Sequence, residues 1–441
     1  MNKILDRTDR ITKKAKELGA DEAIARTIFG KYRQTRFSNN QIDITVAWNN
    51  YVTDIALSWK KRLVTTQIQN FQNVDKQLKE IIDIAKVSKE NPMFHGFAKN
   101  KFLYPKQNKK KRIIEIETPS EFILEAIDYA EKEAGSDINC GGTLFSKNEQ
   151  VFLSSTEGPL GIDFRTAVEL SIRVFSQREA SGHSTECSST LKNFNPARAG
   201  SEAGELASLA RNPKPGKEGS YDVILGPLFS GSMLSMWTAM ASAFNIMVRL
   251  SIFVDRIGEK VSSDIVTLKD NPAPYSVSNR IFDDEGVPIK ETKIIEKGVM
   301  KTYLHNSSTA RLFKTETTGN AGIIVPQAWN IEMDSGRTNK EEMINEMKKG
   351  LYLTNTWYTR FQNHEKGDFS TIPRDAIFLI ENGEIKQSLK DIRLSDNASR
   401  MLKNIKGVSK ERRHVHWWEE ADPPSLAPYL LIENVKITKS K

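Results

Sequence analysis

The chain has 441 residues, and its content of 38% hydrophobic and 8% aromatic residues excludes a disordered protein. Because domains run to roughly 100–200 residues, this length predicts two or three of them. The formal net charge is +8, with 64 basic and 56 acidic residues interspersed along most of the chain. This mild charge, without a recognisable binding motif, argues against a nucleic-acid-binding protein. The two cysteines, Cys140 and Cys187, have no zinc-type spacing and fit a reducing, cytoplasmic compartment.

The first ninety residues are predicted to form strands between two helices. Residues 1–19 read as an amphipathic helix that ends at Gly19 and lacks the apolar segment of a secretory signal. Asp75–Val87 is predicted as the second helix. Asn49-Asn50 is predicted as the two-residue turn of a hairpin. The strands are expected at Glu22–Phe29, Ile42–Trp48, Tyr51–Trp59 and Val64–Asn70.

The next part of the chain reads as a connection followed by more helices and strands. Residues 90–120 are irregular and contain the basic run Lys106–Arg112, which we interpret as a solvated connection. Glu121–Ala134 is predicted as a helix, and segments 142–146, 151–155 and 164–175 as strands. The stretch NPKPGKEGS at 212–220 is the best linker in the chain. We therefore expect an N-terminal domain at 1–215, with a break into subdomains near 90–120, and a C-terminal domain at 216–441.

The second half is predicted to be rich in strands. These are expected at Tyr275–Asn279, Ile281–Asp283, Lys293–Glu296, Val299–Tyr303, Ala376–Glu381, Glu384–Gln387 and Tyr429–Ile437. Strands and helices do not alternate regularly, which indicates an α+β fold. We expect an α/β N-terminal domain with a mixed sheet, and a C-terminal domain with a largely antiparallel sheet around a buried helix.

A stretch without charge, residues 223–248, is the most unusual segment of the sequence. It is long enough for a membrane span, but Gly226-Pro227 interrupts it, serines and threonines occur throughout, and it lacks aromatic belts and basic flanks. We interpret it as strand Tyr221–Leu225, a Gly-Pro turn and a buried helix from about Phe229 to Val248. Apolar residues recur at helical spacing and are expected in the core: Met233, Trp237, Met240 and Phe244. Ser235, Ala239 and Ser242 form a face of small residues that we expect to pack closely.

Common catalytic motifs are missing from the sequence, and three polar groups remain as candidates. There is no phosphate loop and no HExxH motif. His183 and Cys187 lie close enough in sequence to suggest a nucleophilic pair. His414 and His416 would share a face of a strand and could chelate a metal, although a polar surface run is our preferred interpretation. The segment NHEKGDFS at 363–370 suggests either a loop at the edge of a cleft or an exposed turn.

Several segments resemble the TldD/TldE (PmbA) metallopeptidase family in order and spacing. The longest reads FDDEGVPIKETKIIEKGVMKTYLHNSSTARLFKTETTGNAG at 282–322. The others are GDFSTIPRDAIFLIENGEI at 367–385, PSLAPYLLIENVKI at 424–437, the charge-free segment from 221 to 234 and, more weakly, ELGADEAIAR at 17–26. The resemblance therefore covers nearly the whole chain.

The resemblance implies a lost zinc motif. In catalytic TldD-type members, a helix after the Gly-Pro turn carries HExxxH, whose histidines bind zinc and whose glutamate acts as the base. Those places fall on Ser235 and Met240 for the ligands and on Met236 for the base. Zinc in proteins takes imidazole, thiolate or carboxylate, and methionine cannot accept a proton from water. The cysteine that completes the family site is also missing from residues 411–425.

The pattern is that of the TldE/PmbA-type subunit, and the resemblance implies its role. Such a chain would be the non-catalytic partner of a zinc-bearing TldD-type subunit in a cytoplasmic heterodimer that acts on unfolded peptides. We accordingly expect no catalytic, metal or cofactor site in this chain, zinc only in the partner, no membrane contact, and homodimer formation as an open question. Two alternatives remain: an independent hydrolase that uses Cys187 and His183, and a DNA-associated protein of the gyrase-modulator type.

Overall fold

The computed structural model describes residues 3–69, 71–107, 114–272, 276–417 and 420–440. Most of the basic run Lys106–Arg112 and Tyr275 of a predicted strand lie outside these ranges. The elements of the first half are α1 (Lys3–Glu17), β1 (Glu22–Ser38), β2 (Gln41–Trp59), β3 (Arg62–Ile68), α2 (Val74–Val87), α3 (Pro119–Ala134), β4 (Asn139–Ser155), β5 (Leu160–Gln177), β6 (Ala180–Ser188) and α4 (Pro196–Leu209).

The first half is built on a six-stranded sheet in the order β3-β2-β1-β4-β5-β6. Apolar residues of α1 and α2, such as Ile11 and Leu78, pack with Ile55 and Leu57 of β2. Helices α3 and α4 enclose a second core with β4 and β5. Every strand pair in this sheet is antiparallel, so the predicted mixed sheet is wrong. Tight turns join most neighbouring strands directly, and such turns impose antiparallel pairing.

The hairpin turn between β1 and β2 lies ten residues before the predicted one. Asn39 and Asn40 have φ angles of +47° and +61°, and they connect the facing pair Ser38 and Gln41. Asparagine tolerates this left-handed conformation, which a two-residue hairpin turn of type I′ requires at both positions. The predicted turn at Asn49-Asn50 is wrong because β2 runs through it without a break.

The elements of the second half follow directly. They are β7 (Lys214–Pro215), β8 (Gly219–Leu225), α5 (Pro227–Met240), α6 (Ala243–Met247), β9 (Leu268–Asp270), β10 (Thr292–Glu296), β11 (Val299–Met300), α7 (Ser307–Leu312), β12 (Ile331–Met333), α8 (Lys340–Glu346), β13 (Lys349–Asn363), β14 (Asp368–Glu381), β15 (Glu384–Lys390), β16 (Ile392–Asn397), α9 (Ala398–Lys403), β17 (Ile405–Trp417) and β18 (Ala421–Lys439).

A twelve-stranded sheet forms the frame of the second half. Its long strand β18 pairs with β8, β12, β16 and β17. Most pairs are antiparallel, whereas β8 with β13, β12 with β18 and β7 with β15 are parallel. The α+β class and the largely antiparallel second sheet are therefore confirmed.

Two predicted strands between 275 and 283 are wrong over the described residues 276–283. This segment forms turns and an isolated bridge between Phe282 and Pro288. The backbone N–H groups of this region bond to the buried side chain of Asp283 and not to a neighbouring strand. Its carboxylate accepts hydrogen bonds from the backbone N–H groups of Glu285, Val287 and Ala321 at 2.9–3.0 Å.

Helix α5 is the predicted buried helix, and it is shorter than expected. Met233 and Trp237 are completely buried and Met240 nearly so, whereas Phe244 is only half-buried. The helix ends at Met240 and not at Val248, because the residues that follow Met240 make tertiary contacts in place of helical hydrogen bonds. Ser242 donates its hydroxyl to the Pro326 carbonyl at 2.7 Å, and the backbone there forms a bridge to the chain at 304.

The two halves are in contact over a wide surface. Glu169 of β5 lies 2.6 Å from His416 of β17, and Glu202 of α4 lies 2.7 Å from Arg413. The domain boundary near residue 216 stays a prediction. Within the described ranges, no helix is both long enough and apolar enough to cross a membrane.

Candidate functional site

A cavity of about 550 Å³ opens along one face of α5. The helix contributes residues at positions i, i+3, i+4, i+7 and i+8, the spacing that places side chains on a single face. These are Ser232, Ser235, Met236, Ala239 and Met240. Of the small-residue face that we expected to pack closely, Ser235 and Ala239 line the cavity, whereas Ser242 is buried and bonded to Pro326.

The opposite wall is a distorted part of β13. Trp357, Tyr358, Arg360 and Phe361 line the cavity here, and the pairing of β13 with β14 shifts register between Trp357 and Arg360. Tyr358 has a φ angle of +58°, which is strained for a bulky residue and is often found at functional sites. The bulge turns the aromatic side chains of this segment towards α5.

The outer edge of β13 has no described strand partner beside the cavity, where Thr354, Asn355 and Thr356 are buried and residues 357–360 are half-buried or exposed. Strand β8 pairs with β13 only from Gly350 to Leu353. Beyond Leu353, no other described strand continues on that side. The carboxylate of Glu420, on the rim of the cavity, accepts a hydrogen bond from the Tyr358 N–H at 2.9 Å. A strand edge next to an apolar face is suited to bind an extended chain.

The residues at the family's zinc positions all face this cavity, and they do not fit zinc. Ser235 and Met236 are 8% exposed and Met240 is 3% exposed. A hydroxyl and a thioether are not ligands of protein-bound zinc. In the described part of the chain, no three His, Cys, Asp or Glu side chains are arranged to hold a metal ion. The Ser235 hydroxyl is buried and has no hydrogen-bond partner among the described residues.

His416 is held between two carboxylates at the border of the cavity. Its Nδ1 atom lies 2.6 Å from Glu169 Oε2, and its Nε2 atom lies 3.6 Å from Asp422 Oδ1. Burial opposes the charged imidazolium, but the two carboxylates outweigh it and raise the pKa of His416 to about 10. Asp422 also lines the cavity. His416 is therefore a protonated ion-pair partner, which is unsuited to bind a metal.

His414 lies two residues earlier on the same strand but does not join a common site with His416. Burial, followed by the charge of Arg412, lowers the pKa of His414 to about 4. One histidine is thus held neutral and the other charged. Both are half-buried, so the interpretation of this run as an exposed polar surface is wrong.

His183 and Cys187 are not brought together by the fold. Both belong to β6, and a rise of about 3.3 Å per residue separates positions four apart by about 13 Å. Both ring nitrogens of His183 are hydrogen-bonded: Nε2 lies 2.9 Å from Ser171 Oγ, and Nδ1 lies 2.8 Å from the Asn355 side-chain amide nitrogen. Burial lowers the pKa of His183 to about 3 and raises the pKa of the Cys187 thiol, so the geometry offers no activated nucleophile here.

The cavity wall on β13 was not predicted from the sequence. Trp357 and Tyr358 precede the segment NHEKGDFS, whose His364 does line the cavity. That segment is the tight turn between β13 and β14. A polar turn is visible in a sequence, but a bulge is not, because its position depends on pairing with β14. The aromatic run TWYTRF is the one sequence feature that could have indicated a binding surface in this segment.

The family model of the PmbA/TldA metallopeptidase C-terminal domain matches residues 218–439. A metalloprotease of Methanocaldococcus jannaschii is 34% identical over 217 residues, 48% of each chain. A metalloprotease TldD homolog of Buchnera aphidicola subsp. Schizaphis graminum is 26% identical over 76% of this chain and 72% of that protein. The match thus spans about half the length of the first of these relatives and most of the second.

Solved structures share the fold along the whole chain. The crystal structure of TldE from Thermococcus kodakarensis superimposes with a TM-score of 0.87 at 20% identity, over 97% of this chain and 99% of that one. A structure from Thermotoga maritima, described as a modulator of a DNA gyrase, gives a TM-score of 0.85 at 24% identity, over 99% and 100% of the two chains. Because the family model covers half of the chain and the relatives and folds agree with it, the chain belongs to the TldD/TldE (PmbA) metallopeptidase family.

Proposed function

We propose that this chain is a TldE-like, non-catalytic subunit of a cytoplasmic metallopeptidase, which pairs with a zinc-bearing TldD-type subunit and acts on unfolded peptides. One observation carries the proposal. The face of α5 that would carry the zinc ligands and the base still lines a cavity of about 550 Å³, but its side chains are Ser235, Met236 and Met240. The face of α5 is present beside the cavity, but none of these three side chains is a zinc ligand or a base.

The cavity itself supports a role in holding a peptide. Met236, Met240 and Leu250 offer an apolar surface for a side chain, and Trp357 and Tyr358 offer aromatic contact opposite them. The unpaired edge of β13 at residues 357–360, which are half-buried or exposed, can contribute main-chain hydrogen bonds to an extended chain, apart from the Tyr358 N–H, whose hydrogen bond Glu420 already accepts. The unpartnered Ser235 hydroxyl would gain a hydrogen bond from a bound peptide, which removes a cost of about 1–3 kcal/mol.

Filling the cavity tests peptide binding by this chain. In Ala239→Trp, an indole projects from the exposed position of α5 into the cavity, and we expect at least a tenfold loss of affinity for a fluorescent unfolded peptide. Ala197→Trp, at a half-buried position of α4, is the matched control and should bind as the wild type does. Fluorescence anisotropy measures both. Equal binding by Ala239→Trp, with unchanged thermal stability, would remove the cavity from the proposal.

The partner is tested by purification from the native cell. A chain of similar length that contains HExxxH should purify with this one in equal amounts. Chelator-sensitive peptidase activity should be found in the complex and not in the isolated chain. If the isolated chain accounts for all of the activity, the assignment as a non-catalytic subunit is wrong.

Neither alternative function is favoured by a specific observation. The Cys187 and His183 hydrolase fails on geometry, since the two side chains do not meet. The gyrase-modulator description belongs to structures that are 24% and 20% identical to this chain, and such a likeness shows the shared fold alone. A DNA affinity that falls steeply with salt concentration would revive that function.

A further inference from the structure

Two carboxylates line the α5 cavity where β17 gives way to β18. Glu420 precedes β18 and Asp422 belongs to it, and both side chains line the cavity. Among the described residues that line it, Arg360 alone carries a permanent positive charge. Its guanidinium lies over the Tyr358 ring, 5.4 Å from the centroid. One further positive charge in the cavity would therefore balance the two carboxylates.

Asp422 is held in place and remains accessible. His416 Nε2 lies 3.6 Å from Asp422 Oδ1, and His416 Nδ1 lies 2.6 Å from Glu169 Oε2. The charge of His416 is thus shared between two carboxylates and does not belong to Asp422 alone. The hydrogen bond from His416 lowers the pKa of Asp422, so this carboxylate is ionised at neutral pH. Its side chain is 60% exposed and can receive a second cation.

An apolar surface accompanies these carboxylates in the cavity. Met236, Met240 and Leu250 line it together with Trp357 and Tyr358. The two aromatic rings lie 5.3 Å apart with an angle of 79° between their planes. Long basic side chains bury their methylene stems along apolar surface while the charged end stays near water. Aromatic rings add an attraction for the cation itself. This combination of walls fits the side chain of lysine or arginine.

A buried hydroxyl in the same cavity indicates that a polar chain binds there. Ser235 is 8% exposed, and its Oγ atom has no hydrogen-bond partner among the described residues. A buried polar group without a partner is unfavourable. A peptide main chain supplies both N–H and C=O groups, so a bound peptide can satisfy Ser235. A purely apolar ligand would leave it unsatisfied.

We infer that the α5 cavity selects peptides that present a lysine or arginine side chain, and that Asp422 is the residue that determines this specificity. The cationic group of the peptide pairs with Asp422 and is attracted by Glu420, while its methylene stem packs on Met236 and Met240. The inference rests on the proposed function, because it names the side chain that the bound peptide carries. It gives Asp422 a role beyond its ion pair with His416.

Three matched peptides test the selectivity. They are unfolded, fluorescein-labelled and identical except at one central residue, which is lysine, norleucine or glutamate. Norleucine keeps an aliphatic stem and lacks the ammonium group. In fluorescence anisotropy, the full chain should bind the lysine peptide about fivefold more tightly than the norleucine peptide, and the glutamate peptide most weakly. If the lysine peptide binds no more tightly than the norleucine peptide, the inference is overturned and the proposed function stands. If none of the peptides binds, both are overturned.

Removing one charge tests the assignment to Asp422. In Asp422→Asn, the lysine and norleucine peptides should bind equally. Asp137→Asn makes the same change at an exposed position between α3 and β4, and this control should keep the wild-type preference for lysine. Equal weakening of all three peptides in Asp422→Asn would indicate a structural role and overturn the assignment. A preference for lysine that survives in Asp422→Asn would overturn it as well.

Discussion

The chemistry of the cavity depends on three side chains of α5. Ser235, Met236 and Met240 face the cavity, where the family resemblance places two zinc ligands and a base. None of these side chains can act as the general base, and none is a strong ligand of zinc. The backbone of α5 is also unsuited to a pair at positions 235 and 240. Residues five apart on a regular helix lie about 140° from each other, and α5 is regular up to Met240.

Restoring the three side chains should not restore a metal site. We predict that Ser235→His, Met236→Glu and Met240→His together give well under one equivalent of zinc per chain after dialysis, by elemental analysis. The carboxylates that line the cavity, Glu420 and Asp422, already contact the Tyr358 N–H and His416, so neither is placed to orient the new imidazoles. A carboxylate at position 236, where the side chain is 8% exposed, should reduce stability by on the order of several kcal/mol. The wild-type chain is the control and should also be low in zinc. Stoichiometric zinc in the triple variant would mean that only the ligands had been lost.

His416 and His414 should give opposite pH dependences of stability. The folded state raises the pKa of His416 from 6.5 to about 10, so its contribution is complete below about pH 6.5 and is lost as the pH rises through 10. The folded state lowers the pKa of His414 to about 4, so its contribution is present above pH 6.5 and is lost as the pH falls through 4.

Urea denaturation at pH 4, 6, 8 and 10 measures this difference. The deficit in unfolding free energy of His416→Gln, relative to the wild type, should be largest at pH 6 and shrink towards pH 10. The deficit of His414→Gln should shrink below pH 6. Parallel curves for the two variants would show that the Glu169 ion pair does not hold the proton on His416.

At the scale of the element, α5 joins the cavity to the core. One side of the helix is open to the cavity, and the other side buries Met233 and Trp237 completely. The Trp237 indole donates a hydrogen bond to the Ala398 carbonyl at 3.2 Å. The packing of Met233 and Trp237 in the core therefore fixes the position of the α5 wall of the cavity.

Removing the largest side chain behind that wall should be costly. We expect Trp237→Ala to lower the unfolding free energy by about 3–5 kcal/mol, the usual cost of such a truncation in a core. Trp357→Ala, at a half-buried position on the other wall, should cost less than half as much. Chemical denaturation compares the two, and a loss below about 1 kcal/mol for Trp237→Ala would contradict the packing of α5.

Elements were predictable from the sequence where a local signal decides them. Strand β8, the Gly226-Pro227 turn and the start of α5 follow from short-range patterns. The position of the β1–β2 turn does not follow from such a pattern. Asn39-Asn40 and Asn49-Asn50 are both typical of a two-residue hairpin turn, and the pairing of β1 with β2 decides between them. The end of α5 depends on the Ser242 contact with Pro326, which lies 84 residues away in sequence.

At the scale of the whole molecule, ion pairs distant in sequence join the two halves. Glu169 and His416 are 247 residues apart, and Arg413 reaches Glu202 across 211. Arg173 pairs with Asp375 at 2.8 Å. Such contacts could not be predicted from local patterns, and neither could the bulge at Tyr358. The family resemblance predicted which face of α5 matters, but the cavity beside that face is a result of the tertiary structure.

The peptidase activity of the purified chain alone shows whether this subunit can catalyse hydrolysis without a partner. The assay uses an unfolded fluorogenic peptide with added zinc, and a parallel sample contains a chelator. We predict no cleavage above the buffer control in either sample, because no residue on the α5 face can bind zinc or act as its base. Cleavage by the isolated chain that the chelator abolishes would contradict the assignment as a non-catalytic subunit.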